Sequence, residues 1–348
     1  MAITKLSDVL DTAIALLPGY DYNRWTQLMQ TRQNYFFFNT MLKNKKVIQN
    51  GGPDIRWTLA HDTSANAGAI GLYQQVTIDV PSVGKQCSAP YITTAQHTMY
   101  DEHEISHLTD AAQIFDYIKM RSEADMLAHI ELLETQWMGL PTTTTDGTTQ
   151  VRGVPYYCTV NSSEGFNGGD PSGHTSCANV ASASNSRWRN YTAPYTSVTY
   201  DDLVTKMRTA ANKTNFMAPI GITDNKTLDR AIITTLANKL SLETLARNQN
   251  DQVGRDLASY DGKTTFWGHP IVWVPRIDEM DGARLYMLDM NSWEVNVLKG
   301  FDMKRKGPWM PADRPLVHAD SYFLRWQITC KNRRHNAVFA TSAASNGT

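Results

Sequence analysis

His103, Glu104 and His107 are spaced as HExxH, within the string His103-Glu104-Ile105-Ser106-His107. On a helix, two histidines four residues apart share a face and can hold zinc, while the glutamate activates a bound water. The surroundings argue against that chemistry. Asp101 and Glu102 stand where a zinc protease carries an apolar helical turn, and Thr109 stands where a hydrophobe is wanted. A third ligand would have to be Glu123, Glu131 or Glu134. All three fall on one straight helical stretch that cannot fold back onto the histidines. The expectation is no metal, no cofactor and no enzyme; a zinc peptidase is kept as the alternative.

Two further groups invite a chemical reading. Gly165 to Gly173 is rich in glycine, but it lacks the lysine and spacing of a phosphate-binding loop and reads as a surface loop. Lys331-Asn332-Arg333-Arg334-His335 could touch phosphate, although a solvated turn or an ion pair between subunits fits better. No GxSxG nucleophile elbow is present.

The elements around these residues have clearer signatures. Ile55 to Leu59 and Val76 to Val80 alternate apolar and polar side chains, which puts one face of each strand against something dry. A polar tip, His61 to Gly68, lies between them. Two strands alone cannot bury enough surface to offset chain entropy. The span 47–107 is therefore expected to be an arm that finds its missing face on another molecule. Tyr91 to Tyr100 reads as a further extended stretch running out of Pro90. Residues 1–46 read as an N-terminal arm: Ser7 caps a short helical turn, and Tyr35-Phe36-Phe37-Phe38 is an aromatic anchor for a core.

From Leu108 to Trp137 the period becomes helical. Phe115, Ile118, Met126, Ile130, Leu133 and Trp137 form one apolar stripe over roughly 45 Å of helix. Gly139 and Pro141 stop it. A polar loop follows to Gln150, turning at Asp146-Gly147, and then a segment with few periodic signals runs to residue 196. Thr199 with Asp202 reads as a capping box opening a helix with Leu203, Met207 and Ala211 inward. Ser241 to Gln249 reads as another helix. Strands are expected at Ile232, Ile271, Leu285, Trp293, Phe323 and Ala337. Strands and helices are interspersed without a regular βαβ repeat, so the fold class is α+β.

Composition bounds the rest. The 348 residues exceed the usual single-core size, so two or more lobes are expected. A hydrophobic content of 41% with 10% aromatics describes an ordered chain. A formal charge of -1 argues against a dedicated nucleic-acid binder. Cys87, Cys158, Cys177 and Cys330 form no CxxC pair and read as reduced, buried thiols. No signal peptide and no apolar run of about 18 residues is visible, so synthesis and use in a cytoplasm are expected, with no membrane partner.

Taken in order, these parts resemble a tailed-bacteriophage major capsid protein of the Hong Kong 97 type. The likeness extends to local strings, among them Val151-Arg152-Gly153-Val154-Pro155-Tyr156-Tyr157, Gly165 to Thr175, Asn248 to Asp251, Trp267 to Pro275 and Cys330 to Asn336. The resemblance implies an N-terminal arm (1–46), an extended β-hairpin loop with the strand leading to the spine (47–107), and a spine helix with the start of a peripheral domain (108–150). It further implies an axial domain (151–305) and C-terminal strands returning to the peripheral domain (306–348). The implied function is self-assembly, as pentamers and hexamers, into an icosahedral virion shell around double-stranded DNA that is contacted non-specifically. Scaffolding, portal and decoration proteins are implied partners, and a cellular nanocompartment of the same fold is an alternative. Trp57, Leu59, Val76 and Ile78 would lie across the neighbouring subunit. No charged coiled-coil scaffold stretch is seen, and nothing around Lys85 matches the cross-linking lysine of one relative.

Elemental analysis of the purified protein is expected to find no stoichiometric zinc. A zinc bound to each chain and lost in His103→Ala would establish the metal reading instead.

Overall fold

The computed structural model describes residues 35–60, 69–72, 84–106, 111–216, 230–253 and 264–341, leaving aside the side chains of 111–113, 116 and 247–253. The expected Ser7 helix, the 61–68 tip and the Val76 to Val80 strand lie outside these residues.

Two sheets carry the fold. The five-stranded sheet contains β1 (Lys46–Gln49), β4 (Ile92–Asp101), β10 (Trp293–Leu298), β11 (Lys304–Trp309) and β12 (Val317–Cys330). β12 is long enough to pair with β4 along one edge and with both β11 and β10 along the other. β1 adds parallel to β10. The six-stranded sheet runs β5 (Tyr191–Tyr195), β13 (Ala337–Thr341), β9 (Leu285–Asp289), β6 (Arg230–Thr234), β8 (His269–Trp273) and β7 (Thr265–Phe266). A separate two-stranded ribbon pairs β2 (Asp54–Ala60) with β3 (Gly84–Pro90). Mixed helices and sheets without βαβ order make the fold α+β.

The helical stripe does what its period demands. In the long helix α3 (Ala111–Trp137; α1 is Phe37–Leu42 and α2 Glu102–Ser106), Ile118, Met126, Ile130, Leu133 and Trp137 are all buried. Phe115 is half-buried, and Ile114, outside the expected stripe, is buried too. α3 lies along β4, whose alternate residues Ile92, Thr94, Gln96, Thr98 and Tyr100 are buried. The aromatic anchor packs at the far end of α3, where the Phe36 and Phe37 rings stack on Trp137 at 5.3 and 5.8 Å. Gly153 lets the chain return beside that helix end, because a Cβ there would overlap the carbonyl oxygens of Trp137 and Gly139. The capping box is present: the Thr199 side chain accepts from the Asp202 N–H and opens α4 (Thr205–Lys213) through a π-type turn. α5 spans Leu236–Val253, longer than its periodicity suggests.

Four expectations are corrected. First, the span 47–107 is not self-insufficient throughout, since β1 and β4 are strands of a sheet within the same chain. Second, residue 305 does not divide the sheets: β10 and part of β11 sit with β4 in one, and β13 joins the other. Third, the Gly165 to Gly173 loop is not wholly at the surface, since Gly168 and Pro171 are buried. Fourth, the basic cluster is no solvated turn. Arg333 is fully buried, donating to the carbonyl oxygens of Tyr157 (2.7 Å), Gly169 (2.8 Å) and Trp188 (3.0 Å). Arg334 lies 3.8 Å over the Phe166 ring, and Lys331 pairs with Glu294.

Two titratable groups on α3 are buried with little to satisfy them. His129 has no hydrogen-bond partner on either ring nitrogen, and burial pushes its pKa down to about 4. Burial pushes the Glu134 carboxyl up to about 8, although Oε1 accepts the Phe38 N–H at 2.9 Å. The signs are opposite. Stability tied to His129 is present above the unfolded value of 6.5 and is lost as pH falls through about 4, by ~3 kcal/mol. Stability tied to Glu134 is present below 4.5 and is lost as pH rises through about 8. Melting temperatures measured across pH are expected to flatten on the acid side in His129→Leu and on the neutral-to-alkaline side in Glu134→Gln. Unchanged slopes in both variants would refute this assignment.

Candidate assembly surface

The HExxH string falls at a junction. β4 ends at Asp101, and α2 is a single helical turn leading towards α3, so the string does have a short helical context. Glu104 is engaged there: its Oε2 accepts from Tyr117 Oη and Arg121 Nη1, each at 2.7 Å. These hydrogen bonds, that from Tyr117 foremost, lower its pKa. A carboxylate so occupied fastens α2 to α3 and is a poor base for a water. His103 is exposed, and His107 lies outside the described residues. Among the described residues no cluster of three metal-ligating side chains occurs.

The β2–β3 hairpin is the other candidate. Its register pairs Asp54 with Pro90 and Ala60 with Gly84. Ile55 to Leu59 thus pair with residues of Gly84–Pro90, and the expected partner Val76 to Val80 lies outside the described residues. Trp57 and Leu59 are half-buried and pack against the main core of their own chain. One face of the hairpin therefore folds back on its own subunit. Val76 and Ile78 lie outside the described residues.

Polar clamps fix the base of the hairpin. Arg152 donates to the Ser88 carbonyl at 2.8 Å and grips both carboxylate oxygens of Asp146 at 2.9 Å. That bidentate pair is directional and mostly shielded from water, which makes it stiff. The Ser88 N–H donates to Ala178 O at 3.2 Å, and Gln327 Nε2 donates to Pro90 O at 2.9 Å. Cys87 and Ala89 are buried beneath these clamps. Towards the far end burial falls away: Arg56, Thr58, Ala60, Gly84, Lys85 and Gln86 are exposed. Ile70 and Leu72 there are 66% and 92% exposed. These two side chains are the candidates for a contact made by the connection between the two strands. The sequence signal for this pair is weak: Ile70-Gly71-Leu72 is a short apolar interruption beside a polar tip. Lys85 is exposed on the hairpin.

No family model matches the chain, and no curated protein matches it either. Solved structures do. The chain is similar to the capsid asymmetric unit of cyanophage A-1(L), with a TM-score of 0.58 and 13% identity over 85% of this chain and 90% of that one. It is similar to a structure from Mycobacterium phage Bobi, with a TM-score of 0.53, 10% identity and coverage of 98% and 99%. A third similar structure is the capsid of an empty GTA particle computed with C5 symmetry, at TM-score 0.52, 11% identity and coverage of 87% and 96%. At such identities the likeness is one of fold. The resemblance to phage capsid proteins read from the local strings holds at that level, over nearly the whole chain.

A double variant, Ile70→Ser with Leu72→Ser, is expected to keep the circular dichroism and melting temperature of the parent within about 0.5 kcal/mol. Association between chains, read by sedimentation velocity, is expected to weaken by tenfold or more. Unaltered association would remove these residues from the contact surface.

Proposed function

We propose that this chain is the major capsid protein of a tailed bacteriophage, folded in the Hong Kong 97 manner and closing into an icosahedral shell around double-stranded DNA. The observation that carries the reading is the fold shared with phage capsid structures over nearly the full length. The anchored hairpin supports it. A strand pair stiff at its base and apolar at its far end makes a one-sided contact: it reaches a surface on a neighbour unlike itself. Such head-to-tail contacts close into rings when the rotation permits, which is how pentamers and hexamers arise.

In this reading Trp57 and Leu59 act indirectly, holding the hairpin at a set angle to the body. Ile70 and Leu72, with Val76 and Ile78, make the contact itself. The mechanism is packing without chemistry, and no cofactor or metal enters it. The near-neutral charge suits crowding, because many like-charged copies would repel. Residues 1–46 serve as the N-terminal arm and α3 as the spine of the peripheral domain. The axial domain corresponds to the six-stranded sheet with α4 and α5. Scaffolding, portal and decoration proteins are further partners, and assembly takes place in the host cytoplasm before the protein resides in the virion.

Electron microscopy of the purified protein, concentrated over a range of ionic strengths, tests this directly. Closed particles with five-fold vertices are expected. A monomer that stays monodisperse under every condition would overturn the shell reading.

A further inference from the structure

A groove of about 600 Å³ opens where α3 ends, and Met138, Leu140, Pro141, Pro155 and Met280 give it a mostly apolar lining. A second opening of about 540 Å³ shares Met280 and takes in the exposed Leu236 and Leu240 of α5. The charged groups that line the first groove are already engaged. Arg276 pairs with Glu279 at 2.8 Å, and the buried Arg284 donates to the Asp281 carbonyl at 2.9 Å. An acidic ligand would have to compete with those contacts, whereas an apolar one has only water to displace.

The described part of the chain begins beside this groove. Tyr35 Oη donates to Glu131 Oε1 at 3.4 Å, and the groove residue Thr135 stands one turn further along α3. That is ~6 Å of helix axis. Arg276 is near as well: burial raises the Glu134 pKa, and the Phe38 and Phe37 N–H groups and Arg276 oppose the rise. Two end segments could reach the groove. Ser342 to Thr348 follow β13, whose Thr341 N–H donates to Gly282 O at 2.9 Å, but they hold no large apolar side chain. The residues before Tyr35 do: Trp25, Leu28 and Met29 fall at i, i+3 and i+4, the spacing of anchors that share one helical face. Met29 is six residues from Tyr35, a reach of ~9 Å as helix or ~20 Å extended.

We propose that this groove is the seat of the chain's own segment 24–34, with Trp25, Leu28 and Met29 laid against Met138, Leu140 and Met280. The inference concerns the single chain and stands apart from the shell reading. Seating the segment removes its apolar side chains and those of the groove from water together. Methionines on both sides suit an irregular gap, because an unbranched thioether adapts its shape and packs well against the Trp25 ring. Between Arg24 and Asn34 the segment carries no acid, and Arg32 comes three residues before the Tyr35 that meets Glu131. The seated segment adds a contact to the same end of α3 on which Phe36 and Phe37 stack through Trp137.

The test uses the full-length chain, kept unassembled by dilution. Thr135→Cys puts an accessible thiol on the groove, while the four native thiols are buried. Adding Leu28→Ser and Met29→Ser is expected to speed its reaction with a polar maleimide by about tenfold or more, because the cover is lost. The same pair of changes is expected to leave labelling of Lys299→Cys, an exposed position outside the groove, as it was. A benzophenone side chain in place of Trp25 locates the segment with Leu28 and Met29 intact. Irradiated in a mixture of heavy- and light-isotope chains, it is expected to join residues 135–143 or 276–284 of its own chain. Equal labelling rates at Thr135→Cys in both backgrounds, or cross-links elsewhere, would overturn the proposal. Heavy-to-light cross-links would also overturn it and give the groove to a second copy. None of these readings needs particles, so a chain that never forms them would sink the shell reading and leave this one standing.

Discussion

A buried guanidinium holds the two halves of this molecule together. Arg333 sits between β12, a strand of the five-stranded sheet, and β13, a strand of the six-stranded one. Its partners are backbone carbonyl oxygens of Tyr157, Gly169 and Trp188, with the Asn190 side chain at 3.3 Å. A charge withdrawn from water is costly unless every donor finds an acceptor. Here one acceptor is the last residue of a short helix, Val154–Tyr157, and the others come from the irregular segment between Cys158 and Asn190. That segment is pinned by the charge rather than by a ladder. Asn336 completes the joint: its Oδ1 accepts from the Asp289 N–H at 2.9 Å and from Trp293 Nε1 at 3.0 Å, at the second crossover between the sheets. The β9–β10 and β12–β13 crossovers are thus stapled by side chains from one short turn.

That rigidity has a functional consequence. A subunit of the proposed shell must carry its contact surfaces at fixed mutual angles, because errors accumulate around a closed ring. The hairpin base is fixed by Arg152, Asp146 and Gln327, and Gln327 lies on β12 itself. Position is therefore relayed from the joint at Arg333, along β12, to the hairpin. These clamps act at the base of the hairpin.

The site was partly legible. The apolar period of α3, the β2 alternation and the aromatic anchor each predict burial that the structure contains. The hairpin stood out because its strand pattern was strong. Its described partner, Gly84 to Pro90, alternates less strongly than Val76 to Val80 and so did not stand out, because pairing depends on register rather than on apolarity. Trp57 and Leu59 were assigned to a neighbour for a related reason. A periodic face says that something dry covers it, and nothing in the pattern says whether the cover belongs to the same chain.

By itself, then, the sequence determined which segments are helical or extended and which side of each is apolar, because those follow from side-chain period along a local backbone. It also settled that HExxH sits in poor company and that the overall charge is balanced. Only the tertiary structure decided which strands meet, since parallel pairing of β1 with β10 joins residues about 250 apart in the chain through backbone groups that all residues share. It alone turned a basic cluster into the buried joint at Arg333, because a lysine- and arginine-rich turn looks the same in sequence whether water or carbonyl oxygens surround it.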